Sequence, residues 1–554
     1  MRKILISLIF IILFPLVNFS QVNDEIYDRL SISHILILYK GDKYNKQVEQ
    51  QFLNQRRSDK YDAHQLKRQI IYLPKEAKYT NDNNREEYFH DLLKSHEIPK
   101  ALVAKWYNRK SDGSMNLELI HSRGRYNADD YEFTNAQLTK RGNANLKDYG
   151  NKLIDKTYVI ITEIRDIKSA REVKKSKYHG YTSHNNTFVY KLEFKPEIRT
   201  KVYDSWIYSD DSKQVKSKKY EKFENIDFPI KSITEIYETL DYRQSNDTKN
   251  SILYAYKSDK MLFGEMIEAS YQKPMHNLST NYDDFKVKTY IDTKSPLKAK
   301  IGLKEGLTVD QRFYVYEYVW DESTDKAIPK RKAVIRAKKI SDNRTIAKGH
   351  SVSSNFYQTA GWGIDEGMLI EQRNDIGASI AAGWETGKMG GFSLRADMRT
   401  GSISGIPSLY VFADVNFSKS EYSSSLFNNG GSNVDFIFTK FSIGIAKGFN
   451  FAYNFELIPF VSYGMEFANT SNNFKLKDVD SSDEYSYLST SLLKYGASLT
   501  MNITHNVQLY GTFSGYNPIG NTTAGKKTKT NIAWNDIFKD RNGFSKTCGL
   551  RILF

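Results

Sequence analysis

Cysteine is nearly absent: Cys548 is the only one in 554 residues. An internal disulfide and a Cys-based zinc cluster are therefore excluded. Long apolar runs are missing too. After residue 20 no stretch reaches the ~18 apolar residues that a membrane-spanning helix needs. A mean hydropathy of −0.58 likewise excludes a polytopic helical membrane protein. There is no Gly-x-Ser-x-Gly, no His-Glu-x-x-His, no phosphate loop and no Gly-x-Gly-x-x-Gly. Gly361 and Gly363 flank Trp362 with the wrong spacing for a dinucleotide site and read as a turn.

What is present points to a folded, strand-rich chain. The hydrophobic fraction is 40% and the aromatic fraction 14%, enough to build cores. The aromatics are mostly Tyr (38) and Phe (31), which favour strands. The 80 Lys and Arg outnumber the 65 Asp and Glu, a net charge of +15 that suits an anionic partner. Charge alone leaves nucleic acid, lipid phosphate and cell-wall polymer open. Residues 1–20 narrow the choice. Arg2 and Lys3 precede an apolar run over 4–16, and small Ser20 precedes Gln21, the three parts of a secretory signal peptide. No Cys follows the run, which excludes a bacterial lipoprotein. Export removes the chain from cytosolic nucleic acid.

From Ile376 onward, polar and apolar residues alternate in eight segments, over about 376–384, 392–399, 409–417, 437–445, 456–467, 493–501, 507–514 and 547–554. A period of two means strands with one apolar face. A soluble sandwich shares that period, so two further features decide. The polar face carries both signs of charge: Arg395, Asp397, Arg399, Asp414, Lys440, Glu456, Glu466, Lys494 and Arg551. A membrane barrel, with lipid outside, must pair such charges in its lumen. The connections also alternate between short turns, such as 503–506, and long polar loops over about 418–433, 469–484 and 517–542. Short periplasmic turns and long external loops are the asymmetry of outer-membrane barrels.

This region resembles the eight-stranded OmpA/OmpX-like outer-membrane barrels of Gram-negative bacteria. Terminal Phe554, with Ile552 and Leu550 at every second position, is similar to that family's assembly signal. The resemblance implies an antiparallel transmembrane β-barrel over 373–554, outer-membrane lipid around it, and recognition by the barrel-assembly machinery. An even strand count puts both barrel ends on one side, so residues 21–370 are expected in the periplasm. An eight-stranded interior is just wide enough for its own side chains. Five basic against four acidic residues in that set favours a self-paired plug. Cys548 falls in the lipid-facing register and reads as a small apolar filler.

The region before the barrel holds 63 of the 80 basic and 50 of the 65 acidic residues, so the basicity belongs to it. It reads as an α+β segment over 21–150, a second over 151–284 and a small all-β, barrel-like segment over 285–372. Helices are expected over 85–96, 101–107 and 230–242. Strands are expected over 156–164, 187–194, 200–208, 286–291, 299–303, 312–320, 332–340, 344–350 and 368–372.

Catalytic, cofactor and metal residues are not found. His90 and His96, like His179 and His184, lack a helical ligand spacing. Asp478, Asp480, Asp483 and Glu484 gather four carboxylates without the Gly of an EF-hand, and read as a solvated loop. Lys526, Lys527 and Lys529 make a basic external loop. His505 is the barrel's only histidine and lies on a short turn, far from the external rim where a lipid-modifying enzyme would need it. The expectation is a non-enzymatic envelope protein without cofactor: a barrel anchoring a basic periplasmic region that serves as tether, scaffold or secretion accessory. Its partner would be anionic cell wall or another envelope protein. A small channel or transport component is the alternative, and a barrel-borne lipid-modifying enzyme the third.

Overall fold

The structure is a computed structural model and describes residues 29–79, 84–127, 153–247, 255–322, 326–344, 352–387, 389–423, 426–427, 433–476, 484–525 and 528–554. The secretory segment over 1–20 lies outside them. Three sheets organise the described residues.

The first has six strands. Ser31–Tyr39 lies parallel to Ile70–Leu73 and Thr157–Ser169. Tyr178–Leu192 and Ile230–Ser245 then continue the sheet antiparallel. Alternate residues of the central strands feed opposite layers. Ile35, Ile37, Val159 and Ile161 pack with Phe89, Leu102 and Trp106 of two helices on one face. Leu36 and Leu38 pack with Phe52, Met266 and Ile267 on the other. With both faces covered, every residue of Ser31–Tyr39 is buried. The expected division at 150 is thereby corrected. Strands from either side of it share one sheet, and the first two segments form a single three-layer unit. A parallel pair needs a long crossover, and the neighbours Ser31–Tyr39 and Thr157–Ser169 stand more than a hundred residues apart.

Two elements exchange type against expectation. The residues expected to form a helix over 230–242 are the strand Ile230–Ser245. Its Ile230, Ile233, Ile236 and Leu240 have helical spacing, but pairing along Tyr178–Leu192 overrides it. The strand expected over 200–208 is the helix Pro196–Asp204, with Pro at its first turn and Glu197 behind it.

The second sheet closes into a six-stranded barrel, in the order Lys326–Lys339, Ser354–Gly361, Leu297–Ala299, Lys288–Lys294, Leu369–Gln372 and Arg312–Asp321. Val287, Phe313, Val315, Ile335, Phe356 and Ile370 fill it. The strand expected over 344–350 falls largely outside the described residues.

The third sheet holds ten strands. Ala378–Glu385, Gly391–Arg399, Leu409–Tyr422, Val434–Lys447, Phe455–Phe474, Tyr485–Asn502, Val507–Ala524 and Gly543–Leu553 each pair antiparallel with the next. The ring closes where residues 379–385 pair with 547–553. Two short strands escape the alternation: Phe449–Phe451 on a turn and Thr528–Ala533 in a long loop. Ala378–Glu385 has 8 residues, close to the ~9–11 that cross a bilayer, whereas Phe455–Phe474 has 20. The longer strands therefore project past the hydrocarbon at the long-loop end.

The outer face of this ring is apolar and bare. Trp384, Ile443 and Ile445 are 61%, 56% and 57% exposed, and Phe441, Val461, Tyr463, Leu499, Phe513 and Leu550 continue the band. Such a band around a whole barrel is far beyond the patches that water-soluble surfaces carry. Lipid is the solvent that accepts it.

Candidate functional site

The candidate site is the interior of the large barrel with its two ends. Along Val434–Lys447 the lumen-facing positions are Val434, Phe436, Phe438, Lys440, Ser442, Gly444 and Ala446, alternating with lipid-facing Ile437, Phe441, Ile443 and Ile445. The same period on the other strands turns every charge of the expected set inward.

Those charges meet as pairs. Asp397 takes Arg395 at 2.7 Å and Arg551 at 3.1 Å. Asp414 binds Lys494, and Ser442 donates to it at 2.7 Å. Lys440 sits 3.3 Å from Glu385 and 4.1 Å from the centre of the Tyr516 ring. Glu466 is 2.6 Å from Arg541. Arg399 binds the Tyr410 hydroxyl, which donates to Glu456 at 2.9 Å. Asp397, Lys440, Glu385, Glu456, Glu466, Arg541 and Arg551 are buried, and Arg395, Arg399 and Asp414 are largely covered, so an unpaired buried member would cost several kcal/mol, on the order of 3–5 by analogy with broken buried pairs. The Arg395 guanidinium also lies 3.7 Å from the centre of the Phe412 ring.

Sequence reasoning missed Glu385, Tyr410, Tyr516 and Arg541. Glu385 stands one residue past the first alternating segment, on its polar register, so extending that pattern finds it. Tyr410 shares the register of Asp414. Arg541 comes from a long loop and carries no periodic signal. Together Glu385 and Arg541 add one charge of each sign and leave the lumen near balance.

The long-loop end holds an aromatic core that the alternation does not announce. Phe427, Phe436, Phe438, Phe474, Tyr485, Trp534 and Phe538 are buried against one another. The short helix Trp534–Ile537 brings Phe538 over Phe436 and Phe438, with ring centres 5.2 and 5.1 Å away. Beneath it Arg541 is fully buried, its guanidinium 3.6 Å from the centre of the Phe438 ring, and it reaches Ser418 as well as Glu466.

The small barrel closes the short-turn end. Arg312 donates to the His505 carbonyl at 2.8 Å and to Asn506. Asn502 donates to the Thr359 carbonyl at 2.6 Å, and the Gly361 N–H to Asn454 at 2.7 Å. Asp310 accepts from Tyr357 at 2.6 Å and from the Ser408 N–H, with Arg399 3.9 Å away. A cavity of about 10 Å³, the room of one water, remains among Arg312, Arg399, Glu456, His505 and Gln508. Burial, then Arg331 and Arg312, push the His505 imidazole down to about 4, so it is neutral there.

The remaining expected residues are placed apart from these. Leu550 and Cys548 face outward, Ile552 pairs with Ile380, and the Phe554 N–H donates to the Ala378 carbonyl, so the terminal segment completes the ring. Asp478, Asp480, Asp483, Lys526 and Lys527 lie outside the described residues, and Lys529 lies on the short loop strand Thr528–Ala533. His90 contacts Asp91, and His179 stacks on Tyr256, without joining His96 or His184. Among the described residues no group of three His, Cys, Asp or Glu could hold a metal.

No family model matches the chain, and no curated protein matches it. Solved structures do. A major outer-membrane protein of Thermus thermophilus is 14% identical over 32% of this chain and 99% of its own, with a TM-score of 0.23. The N-terminal β-barrel domain of Pseudomonas aeruginosa OprF is 13% identical over 33% and 100%, with a TM-score of 0.20. The Yersinia pestis attachment invasion locus protein Ail is 12% identical over 32% and 96%, with a TM-score of 0.19. A closed antiparallel ring with a bare apolar exterior and a charge-paired interior makes the C-terminal third of this chain an outer-membrane β-barrel domain.

Proposed function

We propose that the protein is a tether of the cell envelope: a plugged, eight-stranded barrel holding a basic region of about 350 residues at the periplasmic face of the outer membrane. The eight long strands form the wall, and the two short ones decorate a turn and a loop. One observation carries the reading. The lumen is filled by ion pairs, covered by aromatics at one end and by the docked small barrel at the other. Such an interior has no use for passage, whereas a docked soluble region suits holding. The net excess of 11 positive charges in residues 21–370 (61 Lys and Arg against 50 Asp and Glu) favours an anionic partner, and cell-wall polymer fits the compartment. Co-sedimentation of the full-length protein with purified sacculi tests this. Retention that weakens with salt is expected; no retention at low salt removes the tether.

The second reading is a small transport component, favoured by the polar lining of the small cavity beneath the lumen. It requires the small barrel to leave the turns. An enzymatic role finds no constellation of nucleophile, base and acid at either end among the described residues.

A further inference from the structure

A groove of about 490 Å³ runs between the helix Asp259–Asn281 and the edge strand Ile230–Ser245 of the first sheet. Every residue that lines it carries a polar or charged group, set on aliphatic stems that supply much of the wall. Here four carboxamides, Gln272, Asn277, Asn281 and Asn374, face the space, together with Lys273, His276 and Glu238. The Asn281 side-chain amide donates to the Asn277 side-chain oxygen Oδ1 at 3.1 Å, which leaves most of the amide donors and acceptors unused among the described residues. The Glu238 Oε2 atom is buried and accepts no hydrogen bond from the described residues. A buried carboxylate oxygen without a donor is uncommon and costly, and a ligand N–H or O–H would satisfy it.

We infer that this groove binds an acidic, N-acetylated glycan segment of the kind that makes up cell wall. The chemistry matches group by group. Carboxamides pair with acetamido and hydroxyl groups, since both sides offer one donor and one acceptor in fixed geometry. Lys273 neutralises a carboxylate, while Glu238 accepts from a hydroxyl or amide. The inference rests on the tether reading for its ligand class and adds the place where the ligand sits.

Calorimetric titration of the full-length protein in detergent, with muropeptides released from sacculi by a muramidase, tests it. Binding is expected to weaken at least tenfold in Glu238→Gln and in Lys273→Gln, with the unfolding temperature unchanged. An uncharged chitin-type oligosaccharide should bind more weakly than the muropeptides. Absent muropeptide binding, or equal binding by both variants, overturns the groove assignment. So does binding of glycerophosphoethanolamine that the two variants abolish, which would make the ligand a lipid headgroup. Sacculus co-sedimentation separates the two readings. If wild type and variants sediment alike, the groove falls and the tether stands. If wild type does not sediment, the tether falls, and the titration still decides the groove.

Discussion

Asp310, on a turn of the small barrel, receives the Ser408 backbone N–H with both carboxylate oxygens, at 3.0 and 2.9 Å, across the joint with the large barrel. Its φ of 67° is a left-handed conformation that Asp tolerates better than most residues. Gly401 lies against it so closely that a Cβ would stand 2.2 Å from Asp310 Oδ2. Asp310→Ala therefore leaves Arg399 and the Ser408 N–H without this partner, at a cost on the order of 3 kcal/mol. Gly401→Ala strains the same contact from the other side. Both should speed amide exchange in residues 288–372 while leaving the large barrel resistant to heat in gel migration. Exchange equal to wild type in both variants would show that Asp310 does not hold the joint.

The joint should also respond to acid through His505. Burial and the neighbouring Arg331 and Arg312 lower its pKa to about 4 in the docked state, against ~6.5 for a free imidazole. The Tyr314 ring lies 5.9 Å away. Undocked protein then binds more protons between pH 6.5 and 4, so docking is at full strength above pH 6.5 and weakens as pH falls toward 4. Amide exchange of the small barrel followed from pH 7 to 4.5 should show this. His505→Gln should flatten the dependence.

Arg541 holds the long-loop end through Glu466, Ser418 and the Phe438 ring. Arg541→Ala strands Glu466 in a buried site and should destabilise the barrel by about 3–5 kcal/mol. Arg541→Ala combined with Glu466→Ala should recover part of that loss. Unfolding in denaturant, measured in lipid, provides the comparison; an additive double variant would show that the two do not act as a pair.

Ile443 tests the lipid-facing assignment. It stands near the middle of its strand, 56% exposed, beside Phe441 and Ile445. Ile443→Arg should cost about 2–4 kcal/mol in a bilayer, as charges at the midplane of such barrels do. Ser442→Ala, on the lumen side, removes a hydrogen bond to Asp414 and should cost about 1 kcal/mol. The reverse order would place lipid on the wrong face.

Much of the large barrel was readable because a two-residue period ties each side chain to one solvent. Arg395, Asp397, Asp414, Lys494 and Arg551 could be placed inward before any partner was known. Phe436 and Phe438 break that logic: they are apolar and yet face inward, because above the membrane the lumen-side positions pack under a loop. Arg541 and Asp310 act from a loop and a turn, where no period exists. In the first sheet, Ile230–Ser245 shows the opposite failure, a helical spacing that sheet pairing overrules. The union of the first two segments was hidden because Ser31–Tyr39 and Thr157–Ser169 are neighbours only in space.

Conductance of the purified full-length protein in planar lipid bilayers tests the central claim most directly. With the lumen paired, capped by aromatics and seated on the small barrel, current should stay at the level of the bare membrane. A steady open state in the wild-type protein would contradict the plugged anchor.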